Sequence, residues 1–317
     1  MKHAKYKFAC SFDGDATLPS YKGSTIRGVF GHALKKVVCA LKKTDCTQCL
    51  LADRCLYTTV FEISARAPAE KGRKRIAQPP HPYVIEPPAD LKTSYKKGDP
   101  LDFSLFLFGA ACDHLPYFIY AFDSIRGIGK RINGKAATFS LDAVYADGTQ
   151  IYSKASGKID KSAKITELTL QSFDESAPAE PHDIELELVT PLRLKYKNGL
   201  TAELPFDVLI RAALRRISSL YNYHGGGEPR LDYRGLVARA RNVSVKETHI
   251  GWYDWRRYSN RQEQAMMMGG LLGDVTYRGN ITPYLPLMEL CKELHIGKQS
   301  SFGLGMFDYR IITEEVS

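Results

Sequence analysis

The order of elements legible in this chain predicts an α+β protein: two tandem ferredoxin-like (βαββαβ, RRM-like) domains, with a small Cys-rich metal knot in the first. Three observations lead there. Polar and apolar residues alternate near Lys5–Phe12 and again at Ile184, Leu186 and Leu188, so each half opens on a strand. A helix-period segment follows each opening strand, and each half then runs through further strands, a second helix and a last strand. The length, 317 residues, suits two domains of about 150 residues each.

In the first half, the strand near Lys5–Phe12 leads through the turn signal DGDATLPSYKG to a helix over Ser24–Leu41. A cysteine cluster follows, then YTTVFEI, which reads as a short strand. The stretch RAPAEKGRKRIAQPPHPYVIEPP is rich in proline and carries a basic run at 71–75, so it reads as a loop. LDFSLFLFG has the continuous apolarity of a strand buried on both faces. LPYFIYAFDSIRGIGKR reads as a helix ending at its glycines, and AATFSLDAVYADG as the closing strand. These assignments place a first domain at 1–155, a polar linker or edge hairpin at 156–181 and a second domain at 182–317.

In the second half, HDIELELVTPLRLKY opens as a strand, and the segment from Pro205 to Tyr223 reads as a helix with proline in its first turn and Gly225–Gly227 after its end. VSVKETHIGWYDWRRYS and GDVTYRGN read as strands, TPYLPLMELCKEL as a helix capped by Thr282, and GMFDYRIIT as the last strand.

Composition narrows the function classes. No run of about 18 uncharged apolar residues is present, and the N-terminus lacks the apolar core of a signal peptide, so the expectation is a cytoplasmic protein away from membranes. In that compartment thiols stay reduced, and clustered cysteines bind metal or react more often than they form disulfides. Cys10, Cys112 and Cys291 are isolated in apolar surroundings and read as core. The formal net charge of +9 favours polyanionic partners, nucleic acid among them.

Four places carry possible chemistry. On a helical wheel, Ile26, Val29, Phe30, Ala33, Leu34, Val37, Val38 and Leu41 fall on one half of the first helix, and His32 on the other. Gly28 and Gly31 flank His32, and Lys36 lies one turn onward. Two glycines inside a helix cost stability and ask for a reason, either approach of a ligand or close packing of the helix. Second, HIGKQSSFGLG sets Lys298, Gln299, Ser300 and Ser301 among glycines beside His295, a composition suited to gripping a phosphate backbone or to forming a tight turn. It is not a P-loop, because it precedes a strand and lacks G-x-x-x-x-G-K-[ST]. Third, GWYDWRRYSNRQ interleaves both tryptophans with tyrosines, Arg256, Arg257 and Arg261, a pattern that can stack on unpaired bases while neutralising phosphates. Arg211, Arg215 and Arg216 extend the basic inventory. Fourth, Cys39, Cys46, Cys49 and Cys55 are spaced C-x6-C-x2-C-x5-C, which suits a tetrahedral structural zinc or, less readily, an iron–sulfur cluster.

STIRGVFGHALKKVVC with the cysteines after it, YDWRRYSNRQ, and the C-terminal HIGKQSSFGLGMFDY together resemble the Cas6 family of CRISPR RNA-processing endoribonucleases, within the RAMP superfamily. The resemblance implies paired ferredoxin-like domains that bind CRISPR repeat RNA and cut precursor CRISPR RNA without a catalytic metal. The RNA's own 2′-hydroxyl attacks, leaving a 2′,3′-cyclic phosphate and a 5′-hydroxyl. It implies His32 as the catalytic histidine, with Tyr21 and Lys36 as companions, Lys36 or Lys35 as electrostatic stabiliser and His295 as a competitor. It implies RNA contacts from Lys35, Arg211, Arg215, Arg256, Arg257, Lys298, Gln299, Ser300 and Ser301, and association with a CRISPR effector complex. The cysteine cluster lies outside the minimal family pattern. The alternatives are a non-catalytic RAMP subunit holding guide RNA in an effector complex and an iron–sulfur protein.

Overall fold

The structure is a computed structural model, and it describes residues 1–63, 79–125, 127–132, 135–160, 165–168, 182–194, 203–259 and 264–312. The chain divides into two compact units, Met1–Glu167 with Asn222–Gly227, and Leu168–Tyr221 with Glu228–Ser317. The basic run at 71–75, Arg261, and most of the stretch at 156–181 lie outside the described residues. No described helix is long and apolar enough to cross a membrane.

The first unit runs β1 (Lys2–Phe12), β2 (Ala16–Thr17), α1 (Gly23–Val38), α2 (Leu56–Val60), β3 (Tyr83–Glu86), β4 (Ser94–Tyr95), β5 (Phe103–Phe108), α3 (Leu115–Asp123), β6 (Ile128–Ile132), β7 (Lys135–Ala137), β8 (Phe139–Ala146), β9 (Thr149–Ser153) and β10 (Thr166–Glu167). Its main sheet has the order β3-β5-β1-β8-β9, with β10 also pairing β1, and every pairing is antiparallel. Strand β1 lies inside the sheet because Tyr6, Phe8, Cys10 and Phe12 bury one face while Lys5 and Lys7 remain exposed. Helix α1 is held by Phe30, whose ring stacks on Phe122 at 4.6 Å and meets Tyr83, Phe118 and Phe61 edge-on. Burying such a side chain is worth about 1.5–3 kcal/mol, and aromatic pairs add roughly 0.5–1.5 kcal/mol each.

Four local expectations are corrected in this unit, the first being that YVIE, read as part of a loop, forms strand β3 and pairs antiparallel with β5. The segment YTTVFEI forms helix α2, not a strand. Its β-branched residues lose to tertiary context: Thr58 and Thr59 hydroxyls donate to the Cys55 carbonyl at 2.7 and 3.3 Å, and Val60 is buried. Helix α1 stops at Val38, because Cys39 is already extended at φ −81 and ψ 112. Helix α3 stops at Asp123, well short of the glycines, with the Ser124 hydroxyl donating to the Ala121 carbonyl, and residues 128–132 pair instead with β7.

The second unit runs β11 (His182–Leu192), α4 (Phe206–His224), α5 (Tyr233–Ala240), β12 (Ser244–Thr248), β13 (Gly251–Ser259), β14 (Gln264–Gly279), α6 (Leu285–Leu294) and β15 (Phe307–Ile312). The sheet order is β12-β14-β11-β15, antiparallel throughout, with β13 also pairing β14. Thr282 does not cap α6. It opens a single 3-10 turn, Thr282–Tyr284, the helix itself starting at Leu285 with a proline in its first turn. Helix α4 buries Leu209, Ile210, Leu214 and Ile217 along one stripe and exposes Arg211 and Arg215 on the opposite face. Cys10, Cys112 and Cys291 are buried.

Candidate nucleic-acid interface

Helix α1 presents the residues singled out by the sequence in a definite order. His32 and Lys36 are both exposed and one helical turn apart, so they share one face. Lys36 makes no ion pair among the described residues, and with Lys35 it sits in the last turn, where cations complement the helix dipole. Lys35 is half-buried, its Nζ 5.3 Å from the Tyr57 ring centroid, so it contacts α2 as well as solvent. Tyr21 lies just ahead of the helix, whose first residue, Gly23, is itself roughly 13 Å along the axis from the His32 position at 1.5 Å per residue. Burial pushes its phenol well above the ordinary tyrosine range, so it stays protonated.

The two glycines separate into different classes. A Cβ on Gly31 would meet the Phe61 ring at 3.0 Å, so this glycine lets α2 dock against α1. Arg27, one turn earlier, lies over the same ring at 5.2 Å and meets the His81 Nε2 at 3.3 Å, while His81 Nδ1 reaches the Val60 carbonyl at 2.8 Å. Among the described residues, a Cβ on Gly28 would meet nothing within 4 Å. At the start of α1, Lys22 has no exposed surface and donates to the carbonyls of Ser20 and Asp90 at 3.1 and 2.6 Å.

The cysteine loop runs from the end of α1 at Cys39 to the start of α2 at Cys55. It is a chain of hydrogen-bonded turns, Thr44 N to Leu41 O, Gln48 N to Asp45 O and Ala52 N to Cys49 O. All four thiols are half-buried, whereas Leu50 is 83% exposed, an inversion of ordinary apolar burial. Burial pushes the Cys46 thiol up, with the Lys35 charge opposing. Among the described residues, however, no group of three or more His, Cys, Asp or Glu side chains is gathered so as to hold a metal ion.

In the second unit, Arg211 is exposed and bonded to Asp207 at 3.2 Å, and Arg215, one turn on, is exposed with no ion pair among the described residues. Arg216 is buried and joins α4 to α6 through Nε and the Leu294 carbonyl at 3.0 Å, and burial lowers its pKa to about 10. Arg256 and Arg257 lie on β13 opposite Met267 and Met266, and their side chains lie outside the description. The β13–β14 ribbon continues past the last β11 pair, Leu192 with Leu271, to Ser259 with Gln264. Tyr253 is exposed on it, tilted against Trp255 at 5.9 Å.

The glycine-rich segment closes on itself and on the end of β11. Gly305 donates to the Pro191 carbonyl and accepts from the Ile296 amide, and a Cβ there would collide with the Ile296 backbone; Gly297, at φ 81, lets the Lys298 amide reach the Arg193 carbonyl. Its geometry therefore accounts for its glycines. His295 is 0% exposed, its Nδ1 lying 3.3 Å from the Leu304 carbonyl, and Ser300 and Ser301 are 8% and 4% exposed. These three side chains face the interior of the unit. Gln299 is half-buried and Lys298 is exposed. Sequence reasoning missed Lys22, because nothing in PSYKGS distinguishes a buried ammonium from an exposed one.

Comparison with known proteins finds a family match in each half of the chain. Residues 1–164 match the model of the AF_1859_N N-terminal domain, and residues 186–307 match the CRISPR-associated endoribonuclease Cas6. An uncharacterized protein of Archaeoglobus fulgidus is 26% identical over 299 residues, covering 92% of this chain and 93% of the relative. Among solved structures, a partial Cas6-RT-Cas1–Cas2 complex superposes with a TM-score of 0.61 at 14% identity, over 100% of this chain and 47% of that one, so the chain spans about half its length. A Cas6 product complex gives a TM-score of 0.56 at 14% identity over 98% and 100% of the two chains. Thermus thermophilus Cas6 gives 0.51 at 13% identity over 98% of each. The mixed α/β architecture with antiparallel sheets is thus shared with Cas6 structures. Residues 186–307 thus match the family of CRISPR-associated endoribonuclease Cas6, and residues 1–164 the AF_1859_N N-terminal domain.

Proposed function

We propose that this protein binds CRISPR repeat RNA and cleaves precursor CRISPR RNA by attack of the RNA's own 2′-hydroxyl, with no catalytic metal. The observation that carries the reading is the α1 face, where an exposed histidine and an exposed lysine stand one turn apart beside an open stretch of helix backbone at Gly28. Each unit is read as a ferredoxin-like domain, supported by strand orders in which the opening strand lies inside the sheet between later strands.

In the proposed step the 2′-oxygen forms a bond to phosphorus and loses its proton, while the bond from phosphorus to the 5′-oxygen breaks and that oxygen gains a proton. His32 serves this proton transfer, since imidazole can accept or donate near neutral pH, and such a group is typically worth about 10²–10⁴-fold. Lys36 offers a positive charge to the phosphorane oxygens, and Tyr21, held protonated, offers a hydrogen bond. Arg211, Arg215, Arg256, Arg257, Lys35, Lys298 and Gln299 are the proposed RNA contacts. Likeness to a Cas6 product complex and to a Cas6-RT-Cas1–Cas2 assembly supports repeat RNA and a CRISPR complex as partners, and the proposed location is the cytoplasm. A structural zinc held by Cys39, Cys46, Cys49 and Cys55 is proposed on their spacing alone.

The test is incubation of purified protein in EDTA with labelled repeat RNA, and with the same RNA carrying single 2′-deoxy substitutions. Cleavage blocked by one deoxy substitution supports the reading. Tight binding without product would assign the chain to the RNA-holding, non-catalytic members of the superfamily.

A further inference from the structure

We propose that Gly28 is the point at which the RNA's ribose-phosphate backbone rests against helix α1, a specificity-determining position one turn before His32. This rests on the function proposed above. A glycine inside a helix is unfavourable relative to alanine because the unfolded chain has more freedom to lose. Gly31 has an internal reason for being glycine, the Phe61 ring 3.0 Å from any added Cβ. Gly28 has none among the described residues: neither side chain nor backbone of another described element lies within 4 Å of that position, and its φ is outside the left-handed range. The helical repeat puts Gly28, His32 and Lys36 on one stripe, and the other two members are exposed. The missing side chain therefore leaves helix backbone open next to the group proposed to move the proton. A furanose and its phosphate can approach there more closely than any Cβ allows, which would set the 2′-hydroxyl against the imidazole. Gly28 takes no proton and contacts no reacting atom; it determines position.

The experiment compares Gly28→Ala, Gly28→Leu and Gly31→Ala with wild type, reading thermal midpoint, RNA affinity by anisotropy with labelled repeat RNA, and single-turnover cleavage. Gly28→Ala should raise Tm by roughly 1–4 °C, from better helix propensity. It should weaken RNA affinity or raise KM by about tenfold, with Gly28→Leu worse again at an unchanged or higher Tm. Gly31→Ala should lower Tm and leave affinity per folded molecule unchanged. Wild-type affinity and cleavage in both Gly28 variants would overturn the inference. If wild type binds the RNA without cutting it, the cleavage reading fails while the anisotropy comparison still decides the role of Gly28. If wild type binds no RNA, both fall.

Discussion

The Nζ of Lys22, a side chain with no exposed surface, donates to the backbone carbonyl of Asp90 at 2.6 Å and to its carboxylate at 3.1 Å. This contact ties the first turn of α1 to a loop far along the chain and fixes where the helix begins. Lys22→Met should lower stability by about 1–3 kcal/mol, since two carbonyls lose their buried donor. Burial works upward on the Asp90 carboxyl, but the Lys22 hydrogen bond, the Lys92 amide and both ammonium charges outweigh it and hold the pKa below its ordinary value. The contribution of Asp90 is thus present above the ordinary carboxylate pKa and is lost as pH falls through the lowered one. Urea melts of Lys22→Met and Asp90→Asn at pH 7 and pH 3 check this, and a Lys22→Met protein as stable as wild type would contradict it.

His3 should make the fold sensitive to mild acid. Burial among Phe106 and Phe108, followed by the Lys5 charge and against the Asp147 carboxylate, lowers its pKa from 6.5 to about 4. The unfolded chain therefore binds the proton first, and stability falls as pH drops from about 6.5 to 4, by up to roughly 3 kcal/mol. His3→Phe should flatten the stability profile over that window. An unchanged profile would place the acid sensitivity elsewhere.

The two histidines should behave in opposite ways. His32→Ala should reduce cleavage by about 10²–10⁴-fold while RNA affinity stays within a few fold. His295 holds the Leu304 carbonyl inside the second unit at a positive φ of 53. His295→Ala should cost about 1–3 kcal/mol of stability and spare cleavage by the folded fraction. Single-turnover rates beside thermal melts separate the two, and full activity in His32→Ala would move the chemistry away from α1.

The cysteine loop should carry metal if the zinc proposal holds. Purified protein should then contain about one zinc per chain by elemental analysis, lost in Cys46→Ser and in Cys49→Ser. Native protein whose four loop thiols react at once with a thiol reagent, and which contains no metal, would refute it. Absorbance in the visible with bound iron would assign a cluster in its place.

Much of the architecture is legible because it rests on periodicity. The opening strand with Tyr6, Phe8 and Phe12 inward, the helix built around Ile26, Phe30 and Leu34, and α4 with its buried stripe all follow from spacing that local sequence carries. The errors fall where tertiary context outweighs propensity. Residues 57–60 are β-branched or aromatic, yet they lie in a helix because threonine hydroxyls satisfy the Cys55 carbonyl and Val60 is drawn into the core. Thr282 looks like a cap, but the chain takes a 3-10 turn first.

Sequence alone determined the alternation of strands and helices, the outward face of α1 with His32 and Lys36, the four-cysteine spacing and the resemblance to Cas6, because each depends on residues near one another in the chain. Only the tertiary structure decided which polar groups meet solvent. His295, Ser300, Ser301, Arg216 and Lys22 are all buried, and Gly31 and Gly28, three residues apart on one helix, have different surroundings. The physical reason is that burial is a property of what packs against a residue, and Phe61, Leu304 and Asp90 reach these positions only through the fold.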